Sequence, residues 1–301
     1  MSFREYMRLG VNHHLLYADV IKDSAEHLRT LETVLSDPRL DIIDMWYPWD
    51  IKETCLKAIH DSGKTIYYNM GNRAGQRSLA PASMDDEHRR YTLDVYKDEL
   101  ERAKLCNAEK IITNSGPNDI ENRDQCKDYL VEFYIELCKC AESMIVMIEP
   151  TDWDTSKRKL IGSSKEAVEI CQQVRDAGCT NMASMIDMCH IPLMHETLSQ
   201  AVNDTGEYLE HIHLGNCVLD KESPVYGDKH PGLGIDGGVY GVSDIAELFS
   251  LGLASGYFSK ARKGSASIEM RRLPNQASED CFNRYYNAVC QAWDMAMNVN
   301  V

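Results

Sequence analysis

The sequence predicts an α/β fold, a single (β/α)8 TIM barrel that extends over residues 1–301. Three observations support this prediction. Short apolar runs alternate with amphipathic stretches along the chain, as expected of eight strand–helix units. No linker, low-complexity tract or internal repeat divides the chain. The last four apolar runs end in a carboxylate or an imidazole, at the strand ends where α/β barrels build their active sites.

The eight predicted strands are apolar runs of the kind found in buried parallel sheets. Alternating strands and helices require parallel strands joined by right-handed crossovers. The predicted strands cover about residues 8–14, 40–47, 64–70, 110–116, 144–150, 182–190, 210–216 and 266–271.

A helix is predicted after each strand. The third helix opens with Asp85, Asp86 and Glu87, whose negative charges favour the positive end of a helix dipole. A long Gly- and Pro-containing loop at about residues 217–241 follows the seventh strand, and such loops are commonly lids or substrate walls. Other irregular segments are predicted at about residues 71–83 and before the eighth strand. The predicted helices cover about residues 24–36, 52–62, 85–108, 125–143, 164–176, 193–202, 242–251 and 278–297.

Composition excludes several classes of function. A net charge of −15 argues against binding of nucleic acid or of an anionic membrane, because phosphate binding needs concentrated Lys and Arg. No apolar signal region opens the sequence, and no stretch is apolar enough to span a bilayer. The 11 cysteines are odd in number and form no paired Cys-x-x-Cys framework. We therefore expect a cytoplasmic protein without disulfides.

Four strand-end residues form a candidate metal site: Glu149, Asp187, His213 and Glu269. Three carboxylates and one imidazole brought together would be costly to desolvate and would repel one another without a cation. This oxygen-rich set suits one divalent ion, with Mn²⁺ expected first and Mg²⁺ or Co²⁺ as alternatives. His211 shares a strand face with His213, so either histidine could be the ligand.

Three residues are candidates for proton transfer. His190 follows Asp187 on the mouth side, and an imidazole titrates near neutral pH. Glu149 and Glu269, two of the candidate metal ligands, are the other two. Asp228 and His230, in the long loop, could be a second metal pair or could simply hold the loop in place.

Substrate contacts are predicted at other strand ends. Trp46 and Tyr47 would form an aromatic wall against a sugar ring, although a hydrophobic plug between helices is the alternative. One of His13 and His14 should face the mouth, and His13 is taken as the substrate contact. Arg271 lies on the same face as Glu269 and could bind a substrate oxygen. The remaining polar candidates at the mouth are Tyr68, Asn69, Asn114 and Asn216.

At these residues the chain resembles the xylose isomerase-like TIM barrels, a superfamily of sugar isomerases, ketose 3-epimerases and AP endonucleases. The resemblance implies that Glu149, Asp187, His213 and Glu269 bind Mn²⁺ or Co²⁺ and that His190 contacts substrate. Two positions depart from the epimerase pattern. The epimerases carry a second Glu where this chain has Thr155, and an Arg where it has Leu219. Because of these departures, we expect weaker binding of a free ketose than in the epimerases.

A second resemblance is to the barrel subunit of bacterial C-glycoside deglycosidases. It rests on residues 10–17, on residues 67–73 and on the long loop after the seventh strand. The resemblance implies a small β-rich partner subunit. It also implies cleavage of the carbon–carbon bond between a 3-oxo-glucose and an aromatic aglycone.

The function predicted from the sequence is that of a divalent-metal-dependent enzyme that removes the proton beside the carbonyl of a keto-sugar, through an enediolate. Its specific form is lyase cleavage of 3-oxo-C-glycosides. The alternatives are a sugar isomerase or ketose 3-epimerase, and a barrel that binds sugar without catalysis. The partners expected are a sugar or sugar conjugate and further subunits in an oligomer, with no nucleic acid and no membrane.

Overall fold

A computed structural model describes residues 2–273 and 275–299. Its eight strands form a closed barrel in chain order, and every neighbouring pair is parallel, including the pair that closes the barrel between the last strand and the first. The predicted (β/α)8 barrel is therefore confirmed. The strands are β1 (Met7–Asn12), β2 (Ile42–Met45), β3 (Thr65–Asn69), β4 (Ala108–Thr113), β5 (Ile145–Ile148), β6 (Met182–Asp187), β7 (Leu209–Leu214) and β8 (Gly264–Ile268).

Ten α-helices occur in the described residues, and eight of them fill the positions predicted between and after the strands. The two additional helices are short and lie in the loops after β1 and β3. Four 3-10 turns cover Phe3–Glu5, Ala18–Ile21, Pro192–Met194 and Gly206–Tyr208. The α-helices are α1 (His13–Leu16), α2 (Ser24–Ser36), α3 (Glu53–Ser62), α4 (Gly71–Gln76), α5 (Asp86–Leu105), α6 (Arg123–Ala141), α7 (Ser164–Asp176), α8 (Leu198–Thr205), α9 (Val242–Ala254) and α10 (Ser278–Val299).

Capping side chains account for where several elements begin. Asp85 accepts hydrogen bonds from two backbone N–H groups of the first turn of α5, which is how an acidic N-cap satisfies a helix start. Asn12 accepts from the backbone N–H of Leu15 in the same way and starts α1 at His13. The first strand therefore ends at Asn12, two residues earlier than the sequence pattern predicts.

The hydrophobic core of the described residues has two main parts, beside a small cluster of Cys189, Leu193 and Cys217. The larger part lies between the barrel and its helices. The smaller part fills the barrel interior with side chains from neighbouring strands, including Ile42, Tyr67, Ile112 and Met147. Because the interior is packed, ligands can bind only at the barrel ends. None of the helices in the described part of the chain has the length and hydropathy needed to cross a membrane.

The long loop after β7 folds back over the C-terminal end of the barrel. Backbone bridges join Val218 to Gly227 and Gly238 within the loop. A further bridge joins Pro231 to Arg271, just beyond β8. These contacts place the loop residues next to the strand-end carboxylates.

Candidate metal centre

Four side chains from neighbouring strands converge at the C-terminal mouth of the barrel. Asp187 is the last residue of β6 and is paired in register with His213 on β7. Glu149 directly follows β5, and Glu269 directly follows β8. One potential ligand atom from each of the four lies within 4.8 Å of the others. The structure thus brings together all four residues predicted as metal ligands.

The unpaired polar atoms of this cluster fit a divalent cation. Asp187 Oδ2, His213 Nδ1 and Glu269 Oε2 are buried and make no hydrogen bond of good geometry, although His190 Nε2 lies 3.0 Å from Asp187 Oδ2. Nδ1 of His213 lies 3.4 Å from Glu149 Oε1 and 2.5 Å from Glu269 Oε2. Buried polar atoms are normally satisfied, because leaving them unpaired is costly. A metal ion bound by all four side chains would satisfy these atoms together.

In three of these candidate ligands, the protein holds the other polar atom of the side chain. Asn12 Nδ2 donates to Glu269 Oε1 over 2.7 Å. The backbone N–H of Cys189 donates to Asp187 Oδ1 over 2.9 Å. Nε2 of His213 lies 3.0 Å from Asp44 Oδ2. Outer contacts of this kind orient metal ligands and increase the affinity of a site.

Charges in the cluster perturb one another strongly. Burial raises the pKa of Glu269 above its usual range, although His213 and His230 oppose that shift. Burial also disfavours the ionised form of Asp187, but the neighbouring His190 and His230 outweigh it and lower the pKa of that carboxyl. Burial lowers the pKa of His213, but Glu269 and Asp44 reverse the effect and raise it well above 6.5. Without a metal, His213 and Glu269 therefore hold a proton between them, where a metal would bind.

His190 lies beside the cluster and is itself buried. Its Nε2 is 3.0 Å from Asp187 Oδ2 and 3.9 Å from Glu149 Oε1. Burial lowers the pKa of His190, but Asp187 and Asp228 outweigh burial and raise it to about 9. In this state the imidazole carries a proton at neutral pH and acts as a donor.

The loop pair Asp228 and His230 also reaches the mouth. Asp228 Oδ1 lies 2.7 Å from His230 Nε2, and Asp228 Oδ2 lies 2.7 Å from Lys157 Nζ. The Lys157 ammonium already neutralises Asp228, which favours the reading that this pair holds the loop in place.

A polar cavity of about 140 Å³ opens next to the cluster. Five predicted site residues line it. They are Asn114, Glu149, His190, Glu269 and Arg271.

Several other cavity residues were not assigned from the sequence. His14 lines the cavity, and its Nε2 lies 2.7 Å from Asn72 Nδ2 on α4. Lys157 and Lys159 also line it, and so does Asn69, which was predicted at the mouth without a specific role. The sequence predicts that one of His13 and His14 faces the mouth. The prediction of His13 is wrong, because His14 lines the cavity. For the lysines, the only signal was the polar run after Glu149.

Four predicted substrate contacts do not reach this cavity. His13 faces the helices, with Nε2 2.9 Å from Thr30 Oγ1, because Asn12 ends the strand one residue before it. His14, and not His13, is the histidine at the mouth. Asn216 is buried and holds the long loop, donating to the carbonyl of Tyr240 and accepting from its N–H.

Trp46 and Tyr47 do not form a wall at the mouth. Both are almost fully buried, at 1% and 2% exposure, and belong to the core between barrel and helices. The Tyr47 ring packs against His27 with centroids 4.4 Å apart. Because β2 ends at Met45, the two residues that follow have already turned away from the barrel axis. The alternative reading as a hydrophobic plug describes their position.

Asp44 was missed in the sequence, although it is fully buried next to the cluster. It contacts both histidines of β7, His211 and His213. Of these two, only His213 faces Glu149 and Glu269.

Thr155 and Leu219 line a different cavity, of about 550 Å³. Loops after β5, β6 and β7 form it, and Pro192, His195 and Tyr226 are among its other lining residues. Neither residue lines the cavity that holds Glu149 and Glu269. Contacts that other proteins make from these two positions therefore cannot be transferred directly to this chain.

Comparison with known proteins agrees with this geometry. The model of the family described as xylose isomerase-like TIM barrel matches residues 29–285. The D-psicose 3-epimerase of Ruminiclostridium cellulolyticum is 27% identical over 175 residues, which cover 56% of this chain and 58% of that protein. The alignment thus spans little more than half the length of that relative.

Solved structures share the fold over nearly the whole chain. The D-psicose 3-epimerase with D-tagatose from Clostridium cellulolyticum has a TM-score of 0.66 at 20% identity, covering 97% of this chain and 99% of its own. An L-ribulose 3-epimerase has a TM-score of 0.73 at 16% identity and covers 98% of both chains. At these identities the likeness establishes the fold alone.

Proposed function

The chain belongs to the xylose isomerase-like TIM barrel family, and we propose that it is a divalent-metal-dependent enzyme that moves a proton on a keto-sugar, as sugar isomerases and 3-epimerases do. One observation carries the proposal. The atoms of Asp187, His213 and Glu269 that lack partners lie together, beside a cavity lined by Glu149 and Glu269. A sugar placed there would meet both a metal and carboxylates able to exchange protons with it.

The chemistry divides between the metal and the side chains. When bound, a divalent ion acts as a Lewis acid that polarises a carbonyl and makes the neighbouring C–H more acidic. Glu149 and Glu269 line the cavity and would take the proton from carbon and return it. His190 donates to a substrate oxygen, because its proton is held by the surrounding carboxylates. Removal on one face and return on the other gives epimerisation, whereas return to the adjacent carbon gives isomerisation.

The cavity suits a single sugar unit. Its volume of about 140 Å³ is below the roughly 300–1,000 Å³ of pockets for drug-sized ligands. Asn69, Asn72 and Asn114 offer amide donors and acceptors to hydroxyl groups. Lys159 and Arg271 add positive charge, which would stabilise the negative charge that develops when a carbon-bound proton leaves.

Cleavage of 3-oxo-C-glycosides is a second candidate outcome of the same proton abstraction. The buried positions of Trp46 and Tyr47 remove one argument for an aromatic aglycone. One observation still favours it: the cavity of about 550 Å³ at Thr155 and Leu219 lies on the same rim of the barrel. That cavity offers space for a group larger than a hexose.

Proton exchange with solvent tests the proposal before the product is known. Metal-loaded protein is incubated in D₂O with ketohexoses and with 3-oxo-C-glucosides, and deuterium at the carbon beside the carbonyl is measured by NMR. Deuterium incorporation with an epimerised or isomerised sugar is the expected result. Incorporation with release of an aglycone would favour the lyase. No incorporation into any substrate by metal-loaded protein would leave a sugar-binding barrel and refute the proposal.

A further inference from the structure

A chain of hydrogen bonds runs through the barrel interior from its N-terminal end to the metal cluster. Arg8 Nη2 lies 2.9 Å from the Tyr67 hydroxyl, which lies 3.2 Å from Ser265 Oγ. Ser265 Oγ is 2.8 Å from His211 Nδ1. His211 Nε2 is 3.2 Å from Asp44 Oδ2. All of these residues except Arg8 are essentially inaccessible to solvent.

Donor and acceptor chemistry favours one direction along this chain, although the carbonyl oxygen of Glu210 lies 3.2 Å from Ser265 Oγ and competes for its proton. A guanidinium can only donate, so the Tyr67 hydroxyl accepts from Arg8 and donates its own proton to Ser265. Ser265 in turn donates to Nδ1 of His211. The remaining ring proton of His211 is then on Nε2 and is donated to Asp44. An ionised carboxylate can only accept, so the chain ends there.

Asp44 accepts from the metal cluster as well. The same atom, Oδ2, lies 3.0 Å from Nε2 of His213. Because the carboxylate is an acceptor, His213 must carry a proton on Nε2. Its other nitrogen, Nδ1, is the one that lies 3.4 Å from Glu149 Oε1.

We infer that Asp44, braced by the chain of hydrogen bonds from Arg8, is a positioning residue that selects the tautomer and ring orientation of His213. With Nε2 protonated and held, Nδ1 presents its lone pair to a cation bound by the carboxylates. The other oxygen, Asp44 Oδ1, is buried and has no partner. The carboxylate is therefore anchored through Oδ2 alone, and its placement depends on His211.

The expected effect is on metal affinity. Replacing the outer partner of a metal-binding histidine typically weakens binding about 10–100-fold. The inference rests on the metal site and not on which sugar reaction follows. Metal binding can be measured without any substrate, so its failure and the failure of the proposed function are distinguishable.

The test compares three variants of the full-length chain. Asp44→Asn removes the charge that orients His213. Tyr67→Phe breaks the chain of hydrogen bonds away from the metal. Tyr68→Phe is the matched control, because Tyr68 is the next residue of β3 and equally buried, but its hydroxyl lies 3.1 Å from Glu99 outside the chain.

The dissociation constant for Mn²⁺ is measured for each by competition with a fluorescent chelator. The histidine ring ¹⁵N shifts are recorded with diamagnetic Zn²⁺ bound. We expect a rise of about 10–100-fold in the constant for Asp44→Asn, a smaller rise for Tyr67→Phe, and none for Tyr68→Phe. The wild-type His213 shifts should report a proton on Nε2.

Two results would overturn the inference. One is a dissociation constant for Mn²⁺ that is the same in Asp44→Asn as in the wild type. The other is an equal effect of the two tyrosine variants, which would indicate a general packing role. If Asp44→Asn does not fold, two measurements still test the inference. They are the comparison of Tyr67→Phe with Tyr68→Phe and the histidine ring shifts of the wild type.

Discussion

Glu269→Gln should have opposite effects on stability with and without metal. Burial raises the pKa of Glu269, so the metal-free fold favours its neutral form and its ionised form costs stability at neutral pH. Glutamine keeps the volume and keeps the oxygen that accepts from Asn12. The metal-free variant should therefore be at least as stable as the metal-free wild type. With metal present, the variant should be the less stable of the two.

The size of the effect follows from linkage. A metal at 100 times its dissociation constant stabilises the fold by about 2.7 kcal/mol. Loss of an anionic ligand should weaken binding by at least the ~100-fold reached by changes to outer partners. At the same metal concentration the variant would then gain only about 0.4 kcal/mol. The stabilisation by metal should thus fall by roughly 2 kcal/mol.

Urea denaturation with and without Mn²⁺ measures this difference, and metal content is measured on the same samples. Glu132→Gln is the matched control, because Glu132 is an exposed carboxylate on α6 with no ion pair among the described residues. It should respond to metal as the wild type does. A Glu269→Gln variant that retains its metal but unfolds more readily in both conditions would refute the reasoning.

Three further outcomes are expected. His190→Asn should lower kcat about 100-fold at unchanged metal content, and a wild-type kcat would assign His190 a structural role. Tyr47→Phe should leave kcat unchanged, because the ring lies in the core and not at the cavity; a large loss of activity would place it at the site after all. Burial lowers the pKa values of His13 and His27, so below about 6.5 the unfolded chain binds more protons and the free energy of unfolding should fall as pH falls. Urea midpoints that are flat between about pH 6.5 and 5 would contradict this last expectation.

The barrel and the cluster of Glu149, Asp187, His213 and Glu269 were predictable, because both depend on where apolar runs stop. A strand end located within two residues is enough to place Glu149 and Glu269 at the mouth. It is not enough to decide which way a side chain points, because neighbouring residues of a strand face opposite sides. His13 and His14 differ by one position. The Asn12 side chain accepts a hydrogen bond from the backbone N–H of Leu15, and this cap ends β1 before His13 and so determines which histidine faces the mouth. The hydrogen bond exists only in the folded turn.

The position and contacts of Asp44 could not be predicted from sequence patterns. Within β2 it shares a face with Ile42, so the pattern would direct a carboxylate into the packed interior of the barrel. Such a charge is tolerable only if it is paired there. Its partners, His211 and His213, lie five strands further along the chain and reach it only once the barrel closes. The candidate ligands could be recognised because each stands at its own strand end, whereas the residue proposed to orient one of them is defined by a contact across the barrel.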